Sequence, residues 1–252
     1  MLGKFTDGPK QLLAGLRLLL KPGIRIYVLI PFTMNSLLFA AVIFFGASSL
    51  NDLIDWLTSN FPWTSWLSWL LWPVFAFISM TIVFFCFSII ANLIAAPFNG
   101  FLAEAVAAHL NKTPPDRPFT LKTLPAELSS AFRIEIIKLS YFLVRALPLL
   151  LLFFIPFVQA FAPFLWFIFG AWMLALEYME YPMGNEGILF PQVRQTLAGR
   201  RSLTLSFGSS VMLLTMIPVV NFIAMPAAVA AATKIWIEQL NADSKEALDV
   251  AK

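Results

Sequence analysis

The chain has 252 residues, of which 60% are hydrophobic and 12% are charged, whereas a typical soluble domain has about 25% charged residues. A soluble domain of this length cannot bury so much apolar surface, so the composition indicates a single integral membrane domain, residues 1–252. The net charge is +3. The sequence contains no block of lysine and arginine interleaved with aromatic residues, which argues against a nucleic-acid partner. The single cysteine, Cys86, excludes an intrachain disulfide and argues against a metal cluster.

Residues 1–25 are predicted to form a short amphipathic helix at the cytoplasmic interface. Pro22 and Gly23 end this helix. The segment lacks the compact apolar core and cleavage site of a signal peptide, so the first spanning helix is expected to direct insertion. The leucines follow helical spacing, with basic residues between them: Leu12, Leu13, Leu16, Leu19 and Leu20, with Lys10, Arg17 and Lys21.

A long stretch without basic residues predicts a transmembrane hairpin at residues 26–100. All 17 lysines and arginines lie outside Ile26–Asn111. Basic residues favour the cytoplasmic side of a membrane, so spans at 26–50 and 66–96 are predicted to carry the acidic tip Asn51–Ser65 outside. Tryptophans, which favour membrane interfaces, surround that tip: Trp56, Trp63, Trp66, Trp69 and Trp72.

The second span is predicted to break at Pro97–Gly100, where the chain returns to the cytoplasm. Residues 101–135 are the only sizeable polar section and are predicted to form a cytoplasmic helical section with a loop at Thr113–Asp116. This section contains the only histidine, His109. Without a cluster of partner residues, His109 is interpreted as a solvated surface residue rather than a metal ligand or catalytic group.

Two further helical hairpins are predicted, at residues 136–177 and 203–237. Three of their four apolar arms have roughly 13 to 16 residues, or about 20 to 24 Å of helix, which is short of the ~30 Å hydrocarbon core. The favoured interpretation is partial insertion. Full spanning with local thinning of the bilayer is the alternative. Because irregular turns at membrane depth need protein or water around them, partial insertion also predicts a homo-oligomer.

The predicted fold is therefore an all-α integral membrane protein with two long transmembrane helices, two further, partially inserted helical hairpins and an N-terminal amphipathic helix. Both termini are expected in the cytoplasm. The sequence contains no hydrolase elbow, P-loop, zinc signature or dinucleotide fingerprint. An enzyme, a cofactor and a metal site are accordingly not predicted.

Polar residues inside apolar helices are costly in lipid and are candidates for function. For Arg133 and Lys138, the alternative to a functional role is that the long side chain only extends to the membrane–water interface. Glu177 and Glu180 lie on one helical face, where they would pair with the arginines or sit among lipid headgroups. The residues selected as candidates to line a pore are Asn35, Asn92, Asn99, Glu104, Arg133 and Arg145.

The segment from Lys21 to Arg25 has the features of an oxyanion site. Glycine after proline exposes backbone amides at the start of a helix, and Arg25 adds a guanidinium fork. We expect an anion such as sulfate to contact Lys21, Gly23, Ile24 and Arg25. The alternative is that these charges only anchor the chain on the cytoplasmic side.

The stretch ANLIAAPFNGFLAE, residues 91–104, resembles the signature of the CysZ family of bacterial sulfate permeases. Ile30-Pro31 followed by Asn35, and Ile217-Pro218 followed by Asn221, agree with that resemblance. The similarity extends over essentially the whole chain. It implies a protein of the bacterial inner membrane that imports sulfate for cysteine biosynthesis by a channel-like or secondary route, without ATP hydrolysis.

The resemblance also implies that the oxyanion site lies at Gly23, Ile24 and Arg25. Some members of the family carry two adjacent arginines, whereas Ile26 follows Arg25 here. Lys21 or Arg17 would then supply the second charge. Sulfate, and with it sulfite or selenate, is the expected partner, together with the lipid bilayer and further copies of the chain.

Two alternatives to transport stay open from the sequence. A non-transporting membrane scaffold or assembly factor would need no continuous polar path. An intramembrane enzyme would need titratable groups around one cavity, and the sequence offers only scattered ones.

Overall fold

A computed structural model of the chain describes residues 7–61, 68–114 and 124–241. These residues form helices and turns and contain no strand, so the predicted all-α class is confirmed. The chain divides into two compact units, residues 29–95 and residues 1–28 with 96–252. Two predicted segments lie partly outside the described residues: the acidic tip beyond Phe61 and the second half of the loop at 113–116. In chain order the helices are α1 (Asp7–Leu19), α2 (Ile26–Asn60), α3 (Ser68–Asn111), α4 (Leu124–Leu151), α5 (Ala162–Asn185), α6 (Phe190–Gly199), α7 (Arg201–Thr215) and α8 (Pro218–Ile235).

The unit of residues 29–95 contains most of α2 and the first part of α3. Large apolar side chains such as Phe44 and Phe77 are exposed on it, as expected of helices that face lipid. The hydroxyls of Thr33 and Thr81 each donate to the carbonyl oxygen four residues earlier, at 2.8 Å. These hydroxyls are therefore satisfied inside their own helix, which a bilayer requires of polar groups.

Both long helices extend beyond their predicted ends. The first span is predicted to end near residue 50, and the helix that contains it, α2, continues through the acidic segment to Asn60. The side chains of Ser59 and Asn60 donate hydrogen bonds to the carbonyls of Asp55 and Trp56, at 2.7 and 2.8 Å, within this last part of the helix.

The predicted break at Pro97–Gly100 is wrong, since α3 runs on to Asn111. Phe98 and Asn99 are buried, and Asn185 Nδ2 donates to the Gly100 carbonyl at 2.8 Å. Packing against neighbouring helices thus outweighs the helix-breaking tendency of proline and glycine, which is a statistical preference that tertiary contacts can overcome.

In the other unit, α1 packs its apolar face against α7 and α8. A Cβ atom added to Gly8 would lie 2.4 Å from the Ser206 carbonyl oxygen, and one added to Gly15 would lie 2.4 Å from the Ala227 carbonyl oxygen. Glycine at these positions permits the close helix approach that is common in membrane bundles. The apolar face of α1 is therefore covered by protein, and its placement at a membrane interface stays a prediction.

Helix α8 lies at the centre of this unit. Every residue from Ala227 to Ala232 is fully buried, so this part of the helix is surrounded on all sides. Nearby, α7 crosses α5 so closely that a Cβ on Gly208 would lie 1.8 Å from the Ala171 carbonyl oxygen. A π-helical turn, Trp236–Leu240, follows α8.

Helices α4 and α5 form a longer hairpin than the sequence predicted. Among the described residues, Phe132–Phe154 and Ala162–Asn185 are each long and apolar enough to cross a membrane. The predicted arm ended near Leu176, but α5 continues for nine more residues past two glutamates, to Asn185. At ~1.5 Å per residue, these segments of 23 and 24 residues exceed the ~30 Å core. The length argument for partial insertion is therefore wrong for this hairpin.

Candidate functional site

The predicted oxyanion residues form the turn between α1 and α2. Gly23 has φ +89°, and a Cβ added there would meet no atom within 4 Å, so the backbone conformation rather than space favours glycine. The backbone N–H groups of Ile24 and Arg25 donate to the Lys21 carbonyl, at 3.2 and 3.4 Å. These two amides close the turn, so an anion that leaves the turn intact has to use other donors.

The side chains of Lys21 and Arg25 are such donors, and both are exposed; a contact of the anion with the Gly23 amide stays a prediction. Neither side chain forms an ion pair with any residue that the structure describes. The side chain of Ile24 is only 2% exposed and belongs to the buried core. Ile24 therefore anchors the turn, while an ammonium and a guanidinium project from it into accessible space. This arrangement can hold a small anion by charge-assisted hydrogen bonds.

Two of the predicted pore residues, Asn35 and Asn92, belong to the unit of residues 29–95. Both lie within helices, on α2 and α3 respectively. Their side chains lie outside what the structure describes. Their role in a pore therefore stays a prediction.

Asn99 and Glu104, also predicted to line a pore, lie further along α3. Asn99 is buried, and its Nδ2 donates to the sulfur of Met225 at 3.3 Å. Glu104 lines a cavity of about 130 Å³ together with Glu186, whose Oε1 accepts a 2.7 Å hydrogen bond from Trp236 Nε1. Two carboxylates therefore lie at one cavity, and the role of Glu104 in a pore stays a prediction.

The two predicted pore arginines lie on α4. Arg133 is exposed and forms no ion pair among the described residues. Arg145 lies near the middle of the candidate span Phe132–Phe154, and its guanidinium carbon is 3.7 Å from the ring centroid of Tyr141. The guanidinium of Arg194, on α6, is 5.3 Å from the same centroid. Arg145 is therefore stacked on an aromatic ring with a second arginine beside it.

A buried ion cluster occupies the adjacent turn of α4. Lys138 Nζ lies 2.6 Å from a carboxylate oxygen of Glu135, 2.7 Å from one of Glu177 and 3.9 Å from one of Glu180. Tyr181 Oη donates to Glu177 at 3.2 Å. The prediction that Glu177 and Glu180 partner the arginines is wrong, because both pair with Lys138. The alternative of Lys138 extending to the interface also fails, since the residue is 4% exposed.

The predicted site residues on α3 and α4 have different neighbours: Asn99 contacts Met225, Glu104 lines a cavity with Glu186, and Arg145 stacks on Tyr141. Sequence reasoning missed Tyr141 and Arg194. Tyr141 precedes Arg145 by four residues, a spacing that places two side chains side by side on a helix and that was available from the sequence. Arg194 lies on a separate helix, and no local pattern connects it to α4.

Comparisons with known proteins agree on one family. The family model described as "Sulfate transporter CysZ/Etoposide-induced protein 2.4" matches residues 11–226. A protein named sulfate transporter CysZ from Pseudomonas aeruginosa strain PAO1 is 41% identical over 92% of this chain and 95% of its own length. The protein of that name from Pseudomonas fluorescens strain Pf0-1 is 41% identical over 94% of this chain and 96% of its own. The one from Pectobacterium atrosepticum is 42% identical over 92% of this chain and 85% of its own.

Proposed function

We propose, from the premise that this chain belongs to the sulfate transporter CysZ/etoposide-induced protein 2.4 family, that it transports sulfate across a bacterial membrane. The observation that carries the proposal is the similarity to named sulfate transporters over more than nine-tenths of the chain. A whole-chain match of this kind extends from α1 into α8 and includes the turn at Arg25. The names of these relatives describe transport, which does not favour the scaffold and enzyme alternatives.

The Arg25 turn is the proposed point of anion capture. The guanidinium of Arg25 and the ammonium of Lys21 are both exposed there. Sulfate carries two negative charges and four acceptor oxygens, so two cationic donors at one turn complement it. Because Ile24 fixes the turn in the core, the donors are held on a rigid base, which lowers the entropy cost of binding.

The proposed function also includes a location in the cell and an oligomeric assembly. We place the protein in the bacterial inner membrane as a multi-pass protein, with both termini and residues 101–135 cytoplasmic and the tip of the first hairpin outside. The imported sulfate would supply cysteine biosynthesis, and sulfite and selenate, which resemble sulfate in charge, are further expected substrates. Homo-oligomerisation is proposed because α4 and α5 expose large apolar side chains, including Leu147 and Phe164, that lipid or further copies of the chain would cover.

Radiolabelled sulfate uptake into liposomes that contain only this protein tests the proposal. We expect uptake down a sulfate gradient without ATP, inhibited by selenate and much less by chloride, since selenate shares the charge and shape of sulfate. Protein-free liposomes are the control. Uptake no faster than in those liposomes would refute transport by this chain alone.

A further inference from the structure

Tyr141, on α4, contacts residues of α5 and α6 and lies close to two arginines. Its hydroxyl accepts a hydrogen bond from Trp172 Nε1 of α5 at 3.1 Å, and its ring makes an edge-to-face contact with Phe190 of α6, with centroids 5.6 Å apart. Arg145 of α4 and Arg194 of α6 lie 3.7 and 5.3 Å from the ring centroid. The two guanidinium carbons are thus no farther apart than the sum of those distances.

Among the residues that the structure describes, no carboxylate forms an ion pair with Arg145 or Arg194. Two glutamates of α5, Glu177 and Glu180, pair instead with Lys138. Two like charges side by side repel each other, and an anion between them removes that repulsion.

The donors at the ring remain available to a ligand. Stacking uses the flat face of a guanidinium and leaves its N–H groups free at the edge. Tyr141 accepts through its oxygen from Trp172, so its own hydrogen can still be donated. A ligand with several acceptor oxygens and a negative charge matches two guanidinium forks and a hydroxyl.

We infer that Arg145 and Arg194, arranged about the ring of Tyr141, form a second oxyanion site that takes a tetrahedral sulfate or phosphate group. The inference deepens the proposed function and rests on it where the ligand is sulfate in transit. A phospholipid headgroup offers the same chemistry, because its phosphate also has a negative charge and several acceptor oxygens, and the side chain of Arg145 is exposed on the surface of the fold.

The sulfate arm of the test uses lipid-depleted protein in detergent. Radiolabelled sulfate binding is measured on the Arg25→Ala protein, in which the first proposed site is removed, and again after adding Arg145→Gln with Arg194→Gln. We expect the added pair to weaken the residual binding at least tenfold. The matched control adds Arg201→Gln, which removes an exposed arginine of α7 and should leave binding unchanged.

The lipid arm measures phospholipid that copurifies with the full-length protein, by mass spectrometry. If the site holds a headgroup, the Arg145→Gln/Arg194→Gln protein should retain at least tenfold less phospholipid per chain, while sulfate binding stays as it was. Arg145→Lys keeps the charge but not the fork, so it should fold like the wild type and show an intermediate loss in whichever arm responds.

Unchanged sulfate binding together with unchanged phospholipid content in the double variant would overturn the inference. Uptake by wild-type liposomes separates this result from a failure of the proposed function. If the wild type transports sulfate and the double variant changes neither sulfate binding nor phospholipid content, only the second site is refuted. If the wild type transports no sulfate, the proposed function is refuted, and the phospholipid measurement still decides whether an oxyanion is bound at Tyr141.

Discussion

At the scale of single residues, the structure separates the charges that are free for an anion from those that hold the fold. Lys21 and Arg25 are exposed at the turn after α1, whereas Lys138 is buried among three glutamates. The sequence could indicate the charges of the turn, because proline, glycine and arginine lie close together there. It could not indicate the Lys138 cluster, since Lys138 and Glu177 are 39 positions apart and only the packing of α4 on α5 brings them together.

The contribution of Arg25 is open to a direct test. We predict that Arg25→Ala weakens sulfate binding by roughly tenfold or more, since a hydrogen bond to a charged group contributes about 1.5 to 3 kcal/mol. Isothermal calorimetry on purified protein measures the change. Lys10→Ala, which removes an exposed charge from α1, is the matched control and should bind like the wild type. Equal affinity in Arg25→Ala and the wild type would contradict the assignment of the turn.

Replacing Lys138 should destabilise the fold. Lys138→Met leaves the carboxylates of Glu177 and Glu180 without their cation, and losing one partner of a buried ion pair costs about 3 to 5 kcal/mol. The cost should lie toward the lower end, because Glu135 and Glu177 are partly exposed and solvent screens them. The melting temperature in detergent measures the effect.

A second ion pair provides the control for Lys138. Lys234 pairs with Glu238 at a more exposed position, with side chains 22% and 44% exposed, and surface pairs contribute only about 0 to 1 kcal/mol. Lys234→Met should therefore lower the melting temperature much less than Lys138→Met. Equal melting temperatures for these two variants would mean that the Lys138 cluster does not stabilise the fold.

At the scale of helices, close packing decides what the sequence pattern leaves open. The long helices α2, α3, α4 and α5 coincide with apolar runs, but their ends were not predicted, and the short helix α6 was not predicted at all. The second arm of the α4–α5 hairpin was predicted to end at Leu176, just before two glutamates, whereas α5 continues past them to Asn185 and both glutamates pair with Lys138. Similarly, Pro97 and Gly100 were interpreted as a break, and buried contacts of Phe98 and Asn99 carry α3 through them.

The crossing of α5 and α7 depends on Gly208. A methyl group there would lie 1.8 Å from the Ala171 carbonyl oxygen, a backbone atom that can move only with its helix. Gly208→Ala should therefore destabilise the protein by about 1 to 3 kcal/mol or more, measured as a lower melting temperature. Gly46→Ala, at a helical glycine with open space around it, should not lower it. A Gly208→Ala protein as stable as the wild type would contradict this packing.

The two later hairpins should differ in depth. The arms of the α4–α5 hairpin have 23 and 24 residues, whereas α7 has 15, or about 22 Å of helix. In protein lacking Cys86, a cysteine at Phe157 should react with an impermeant thiol reagent added outside, and one at Val220 should not. A cysteine at Ser59 should react from outside and one at Thr113 only from the cytoplasmic side. Labelling of Val220 from outside would show that the third hairpin spans as well.

At the scale of the whole molecule, the distribution of charge connects sequence to function. The stretch from Ile26 to Asn111 without lysine or arginine predicts the orientation of the first hairpin, and this orientation would place the Arg25 turn at the cytoplasmic start of the hairpin. The resemblance carried by residues 91–104 predicted the family, and comparison with known proteins confirms it. The arginine pair at Tyr141 lay beyond prediction, because it needs three helices in place before its residues meet.

We propose that this chain transports sulfate by itself and that the Arg25 turn takes part in this transport. The most direct measurement is the initial rate of radiolabelled sulfate uptake into liposomes containing equal amounts of wild-type, Arg25→Ala or Lys10→Ala protein, at a sulfate concentration below saturation. We predict uptake by the wild type and by Lys10→Ala at similar rates, and a rate at least about tenfold lower for Arg25→Ala, in line with the loss of a charge-assisted hydrogen bond. Uptake by none of the three above protein-free liposomes would contradict transport, and equal rates for all three would contradict the role of Arg25.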